Sequence, residues 1–107
     1  STSFDCSGFV YWCINKAGIS QGYMTSYMWR SCTRYQRNNN INNVKRGDVI
    51  VYYGHVAICS GKWTMIDASQ SNGRIVERSF NSNYWHRNFI AHSAYSDNIG
   101  KAVEQKI

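Results

Sequence analysis

The sequence predicts an α+β domain with a helix at the front of the chain packed on an antiparallel β-meander. Three observations predict it. Apolar residues recur at three- and four-residue steps over residues 5 to 17, and the period changes to two from residue 48. Gly, Ser and Asn, with no proline anywhere, then separate short runs rich in β-branched and aromatic residues.

Each element has its own signal. In the first helix Cys6, Phe9, Val10, Cys13, Ile14 and Ala17 form one apolar face. Ser3 or Asp5 can cap its start, and Gly18 supplies the stop. A second, shorter helix is predicted around residues 24 to 37, with Arg30, Arg34 and Arg37 along one face. The tract NNNINN at 38 to 43 reads as a polar surface loop. The runs DVIVYY, HVAIC, WTMIDA, RIVERSF and FIAHSAY read as the strands of the meander. The order is therefore helices first, then a sheet with the first helix on one face. Residues 97–107 read as a short helix or a linker.

A chain of 107 residues makes a single domain with one modest core. Its 43% hydrophobic content and many Tyr and Trp residues favour a folded globule over disorder. No run approaches the roughly 18 to 20 apolar residues of a membrane span. No secretory leader opens the chain, yet Ser1 stands only five residues before Cys6, so a fragment lacking an upstream segment is expected. The net charge of +6 favours an anionic partner: nucleic acid, an acidic membrane surface or a cell-wall polymer. The basic residues are scattered, however, as expected of a solvated surface. Cys6, Cys13, Cys32 and Cys59 show no C-x-x-C spacing, and no metal site or cofactor is expected. Cys6 and Cys13 would lie roughly 10 Å apart along a helix, too far for a disulfide. Free thiols are predicted, with Cys13 and Cys59 as small core hydrophobes.

Cys6 is the residue with chemical potential. In the first turn of a helix, unpaired backbone N–H groups and the dipole favour a thiolate, the form that attacks carbonyl carbon. Its small neighbours Ser7 and Gly8 leave room for a substrate. A cysteine in such a place is also compatible with a structural role.

A nucleophile needs a base, and three histidines are available. His55 opens one strand of a predicted hairpin, and Asp67 lies twelve residues on. A loop of odd length centred on Gly61, with a left-handed glycine, would put the two directly opposite, with Cβ atoms about 4.5 to 5.5 Å apart. A two-residue turn at Gly61-Lys62 would send them to opposite faces. In the first register Asp67 orients one imidazole nitrogen while the other faces Cys6. His55 as a half-exposed strand residue, Asp67 as a turn cap at Ser69-Gln70, and His86 or His92 as the base remain alternatives. Arg46-Gly47-Asp48 is read as the turn before a strand, not as an adhesive motif.

Taken in order, DCSGFV, RGDVIVYYGHVAI, MIDAS and YWHRNFIAHSAY resemble the NlpC-type family of bacterial cell-wall cysteine endopeptidases. The resemblance spans residues 3 to about 95 and implies a papain-like α+β fold. It implies Cys6 as nucleophile, His55 as base and Asp67 as third residue, with Ser7, Gly54 and Asp5 as substrate contacts. The family most often has His in the third place, so Asp67 departs from the pattern; an acidic partner can still fix the tautomer and stabilise the imidazolium. Family members also carry a Tyr-containing, Gly-rich segment before DCSG, which this sequence does not include.

The implied function is peptidoglycan hydrolysis, by cutting stem peptides at the γ-D-glutamyl bond to a diamino acid. Anionic wall polymers would be held by the basic surface, and nucleic acid is not the expected partner. A monomer acting outside the cell or in the wall is expected, either secreted or phage-delivered (an endolysin). Two other readings stand beside it: a papain-like amidase or acyltransferase on another amide, and a non-catalytic module binding cell wall or nucleic acid.

Overall fold

The computed structural model describes residues 5–71 and 73–94. Ser3 and the segment 97–107 lie outside the described residues.

Helix α1 (Cys6–Lys16) forms where the apolar spacing predicts it. The Asp5 carboxylate accepts from the Gly8 N–H at 2.6 Å, satisfying one of the donors a helix start leaves over. At the other end Gly18 takes φ +88°, and the Gly18 and Ile19 N–H groups return to the carbonyls of Asn15 and Ile14. This is a Schellman stop, and it needs a residue that tolerates the left-handed region.

The second helix is much shorter than expected. α2 covers only Ser26–Trp29, capped by the Thr25 hydroxyl. Past the Arg30 cap, Ser31, Cys32 and Thr33 are poor helix formers, and Trp29 is already buried at 1% exposure. The chain leaves the helix and runs into strand β1 (Gln36–Asn38). The arginine face therefore does not exist. Arg30 is the α2 C-cap residue, Arg34 donates to the Ser20 carbonyl at 2.8 Å, and Arg37 belongs to β1. The Asn-rich tract is ordered by its own side chains: Asn38 Oδ1 accepts from Asn40 N at 2.7 Å, and Asn40 Oδ1 accepts from Asn42 N at 3.0 Å. A 3-10 turn covers Ile41–Asn43.

Strands β2 (Val49–Tyr52), β3 (His55–Gly61), β4 (Thr64–Ser69) and β5 (Arg74–Ser79) form the meander. A helix missed by the periodicity, α3 (Asn83–Asn88), then intervenes before β6 (Phe89–Ala94). β6 does not continue the meander. It crosses back to pair with β2 and carries β1 on its outer side, giving the antiparallel order β1-β6-β2-β3-β4-β5.

Two apolar layers hold the sheet. α1 packs against β3 and β4, so Phe9, Val10, Cys13 and Ile14 meet Val49, Val51, Val56, Ile58, Ile66 and Ala68. On the opposite face Ile50, Tyr52, Ala57, Cys59 and Met65 gather Phe80, with Trp63, Trp85 and Phe89 against them. The strands alternate between the two layers, as side chains on a pleated sheet must. The Cys59 thiol, pushed up to about 11 by burial, donates to the Gly61 carbonyl at 3.1 Å and behaves as a core group. All four cysteines are free.

The Gly47-Asp48 turn precedes β2 and is internal. Asp48 is 3% exposed, its carboxylate accepting from Lys45 N at 3.0 Å and meeting His92 Nδ1 at 2.8 Å. An adhesive loop would have to present that carboxylate to solvent.

Candidate active site

The β3–β4 hairpin decides whether His55 and Asp67 can meet, and it does so differently from expectation. The turn has two residues, Lys62 and Trp63, and the left-handed residue is Trp63 at φ 62°, not Gly61. Packing of Trp63 on Phe80 and His86, at centroid distances of 5.2 and 5.4 Å, offsets the strain of that conformation. Such a turn alone would send His55 and Asp67 to opposite faces. Ser60, however, is an extra residue on β3: Gly61 pairs with Thr64, but Cys59 pairs with Met65 and Ile58 with Ile66. This bulge shifts the register by one and restores parity. A loop centred on Gly61 would pair Ile58 with Thr64 rather than Ile66, an offset of two residues, and an even offset keeps the face. His55 and Asp67 are diagonal neighbours rather than direct opposites.

Their side chains meet across that diagonal, with His55 Nε2 2.7 Å from Asp67 Oδ2. The His55 side chain also engages the Cys6 thiol and favours its ionised form, and both residues line one cavity. His55 is the first residue of β3, after the Tyr53-Gly54 turn, so its ring lies at the end of the sheet. There it reaches Cys6 at the leading end of α1 and Asp67 on the sheet face away from that helix.

The electrostatics follow. Burial works to raise the Cys6 thiol. The hydrogen bonds from His55 and the Val56 backbone N–H, the His55 charge and the Ser7 hydroxyl outweigh it, and the thiol lies below its ordinary value. Burial works to lower His55, but hydrogen bonds and charge from Asp67 and Cys6 raise it to about 9. Each shift favours a thiolate–imidazolium pair near neutral pH, the arrangement that activates a cysteine.

Asp67 is fully buried and does not cap the following turn. Besides His55 it accepts from Arg78 twice, Nε to Oδ1 at 3.1 Å and Nη2 to Oδ2. The Arg78 guanidinium lies 4.9 Å from the centre of the Trp85 ring, and Trp85 packs on Tyr52 at 4.6 Å. In the sequence Arg78 is one of several scattered basic residues. Finding it requires the β4–β5 register, in which Arg78 opposes Met65 and Val76 opposes Asp67.

A cavity of about 490 Å³ opens onto these groups, lined by Cys6, Tyr53, Gly54, His55, Arg78 and Trp85 among others. Of the three expected substrate contacts, Gly54 lines it. Ser7 is buried with its hydroxyl 3.8 Å from the Cys6 sulfur, and Asp5 is engaged as the helix cap. The competing histidines are elsewhere. His92 is held between Asp48 and the Asn40 carbonyl, and His86 Nε2 meets Asn81 Oδ1 at 2.9 Å. A second cavity of about 430 Å³ surrounds Asp48 and His92 at the far end of β2, and its lining contains no thiol or hydroxyl.

Comparison of the sequence with known proteins shows the family. The NlpC/P60 family profile aligns with residues 1–94. The chain belongs to the NlpC/P60 family. It is 31% identical over 91 residues to a curated protein, the peptidoglycan DL-endopeptidase CwlO of Bacillus licheniformis. That alignment covers 80% of this chain and 20% of the relative, so the chain spans about a fifth of the relative's length. Asp67, the residue expected in the third place, is fastened to Arg78. No helix among the described residues is long and apolar enough to cross a membrane.

Proposed function

We propose that this domain is a peptidoglycan hydrolase, a cysteine endopeptidase that cuts stem peptides at the γ-D-glutamyl bond to a diamino acid. The observation that carries the reading is the convergence of three side chains: Cys6 and His55 line one cavity, and Asp67 meets His55 at 2.7 Å from behind. In the proposed reaction the Cys6 thiolate attacks the scissile carbonyl, and the oxygen gains charge beside the Cys6 backbone N–H at the helix start. The His55 imidazolium gives its proton to the departing amine as the C–N bond breaks, leaving a thioester. Water then attacks the thioester, His55 takes its proton, and the thiolate departs with the acid released.

Gly54 lets the stem peptide approach the reacting pair, and Ser7 and Asp5 hold the first turn of α1 beneath it. The net charge of +6 suits a protein working among anionic wall polymers, outside the cell or in the wall, as a monomer.

The test is a defined muropeptide with product identification by mass. Cys6→Ala is expected to abolish cleavage while circular dichroism reports an intact fold. Equal cleavage by the variant would end the assignment, and products from a different amide would transfer it to amidase or acyl-transfer chemistry. Alkylation of Cys6 by iodoacetamide no faster than that of a free model thiol would favour a binding module instead.

A further inference from the structure

We propose that Arg78 is a positioning residue of this site: it fixes the Asp67 carboxylate against His55 and offsets part of its charge, so that the imidazole can release a proton as well as hold one. The inference rests on the reading of Cys6, His55 and Asp67 as the reacting set.

A fully buried carboxylate is stable only with its lone pairs engaged. His55 engages one oxygen of Asp67, while Arg78 engages both, so the guanidinium sets the plane in which the carboxylate lies. Asp67 Oδ2 is shared between Arg78 and His55, and a rotation that loses the first contact loses the second. Arg78 is itself held by the face of Trp85, which lies 5.8 Å from the His55 ring. A guanidinium stacked on an aromatic and forked onto a carboxylate has little freedom left.

The charges around His55 come from every neighbouring element. α1 contributes Cys6, β4 contributes Asp67, and β2 contributes Tyr52, stacked at 6.3 Å and kept neutral by burial. β5 contributes Arg78, and α3 contributes the uncharged Trp85. Two of these favour the protonated imidazole when ionised. Arg78 is the group whose charge opposes it.

The test follows the His55 ring by NMR across pH in Cys6→Ala protein, where the thiolate no longer contributes. Arg78→Met is expected to raise the His55 midpoint by about half to one pH unit, because an opposing charge is gone. Arg78→Lys keeps the charge and should leave the midpoint near the parent. With Cys6 restored, Arg78→Lys should lower kcat about tenfold, since one ammonium cannot grip both oxygens. If Arg78→Met does not fold, Arg78→Gln, which retains a donor for Asp67, is read in the same way. A midpoint that is unmoved or lowered in the neutral variant overturns the proposal, whatever happens to cleavage. The titration needs no substrate, so it stands or falls apart from the choice of scissile bond.

Discussion

Replacing Asp67 by Asn changes one oxygen for an amide nitrogen, and the surroundings make that swap severe. Both carboxylate oxygens accept from Arg78, and Oδ2 also meets His55. Whichever position the –NH₂ takes, it faces a guanidinium N–H. In the Oδ2 position it would also donate to His55 Nε2, forcing the neutral ring to carry its proton on Nδ1, toward Cys6. That tautomer cannot accept the thiol proton. The His55 midpoint of about 9, against an ordinary 6.5, corresponds to roughly 3 kcal/mol of imidazolium stabilisation shared between Asp67 and Cys6. Losing most of it lowers the rate by about two orders of magnitude. The wrong tautomer extends the loss toward about 10⁴-fold, as for the corresponding substitution in serine-protease triads. The assay is kcat/KM for a defined muropeptide across pH, with iodoacetamide alkylation of Cys6 as a substrate-free readout. Asp67→Asn should also move the alkaline limb down from about 9. Activity within tenfold of wild type, with that limb unmoved, would refute the role given to Asp67.

Two further outcomes are expected. A histidine whose folded pKa is raised stabilises the fold fully below its unfolded value, about 6.5, and loses that stabilisation as pH rises through the folded value. In Cys6→Ala only Asp67 raises His55, so urea stability should fall by about 1–2 kcal/mol from pH 6 to 9. Wild type should vary less over that window: the lowered Cys6 thiol acts in the opposite sense, favouring the fold above 9.0 and losing that contribution as pH falls. Parallel curves for the two proteins would contradict the coupling. Gly54, at φ +73°, has open space where a Cβ would stand, so Gly54→Ala tests backbone strain alone. It should cost about 1 kcal/mol, a Tm lower by about 4–8 °C, and Gly54→Asn should recover part of it. An unchanged Tm for Gly54→Ala would show that no strain is felt there.

The parts of the fold legible in the sequence are those that carry their own periodicity. α1 announces itself by its apolar face, its Asp5 cap and its Gly18 stop, and β2 to β5 by alternation between turn residues. β1 is three polar residues whose strand character comes from pairing with β6, far along the chain. α3 is less than two turns long and too short to show a period, although Ser82 capping Trp85 N is a signal that could have located it. At the site, Cys6, His55 and Asp67 are legible from residue type, spacing and family resemblance. Arg78 is not, because its partner is known only once two strands are in register. The register expected for the hairpin differs by two residues from the one observed and still places His55 and Asp67 on one face; the bulge itself leaves no mark in residue type.

Ser60, an unremarkable serine near the tip of a hairpin, thus acts as a spacer with a counting function. The strand before the tip and the strand after it can be lengthened or shortened together without cost to the pairing of acid and imidazole. A change of a single residue on either arm would turn Asp67 into the opposite layer, toward the core beneath α1. Homologous hairpins that keep this chemistry should differ in length from this one by even numbers, or carry a compensating kink.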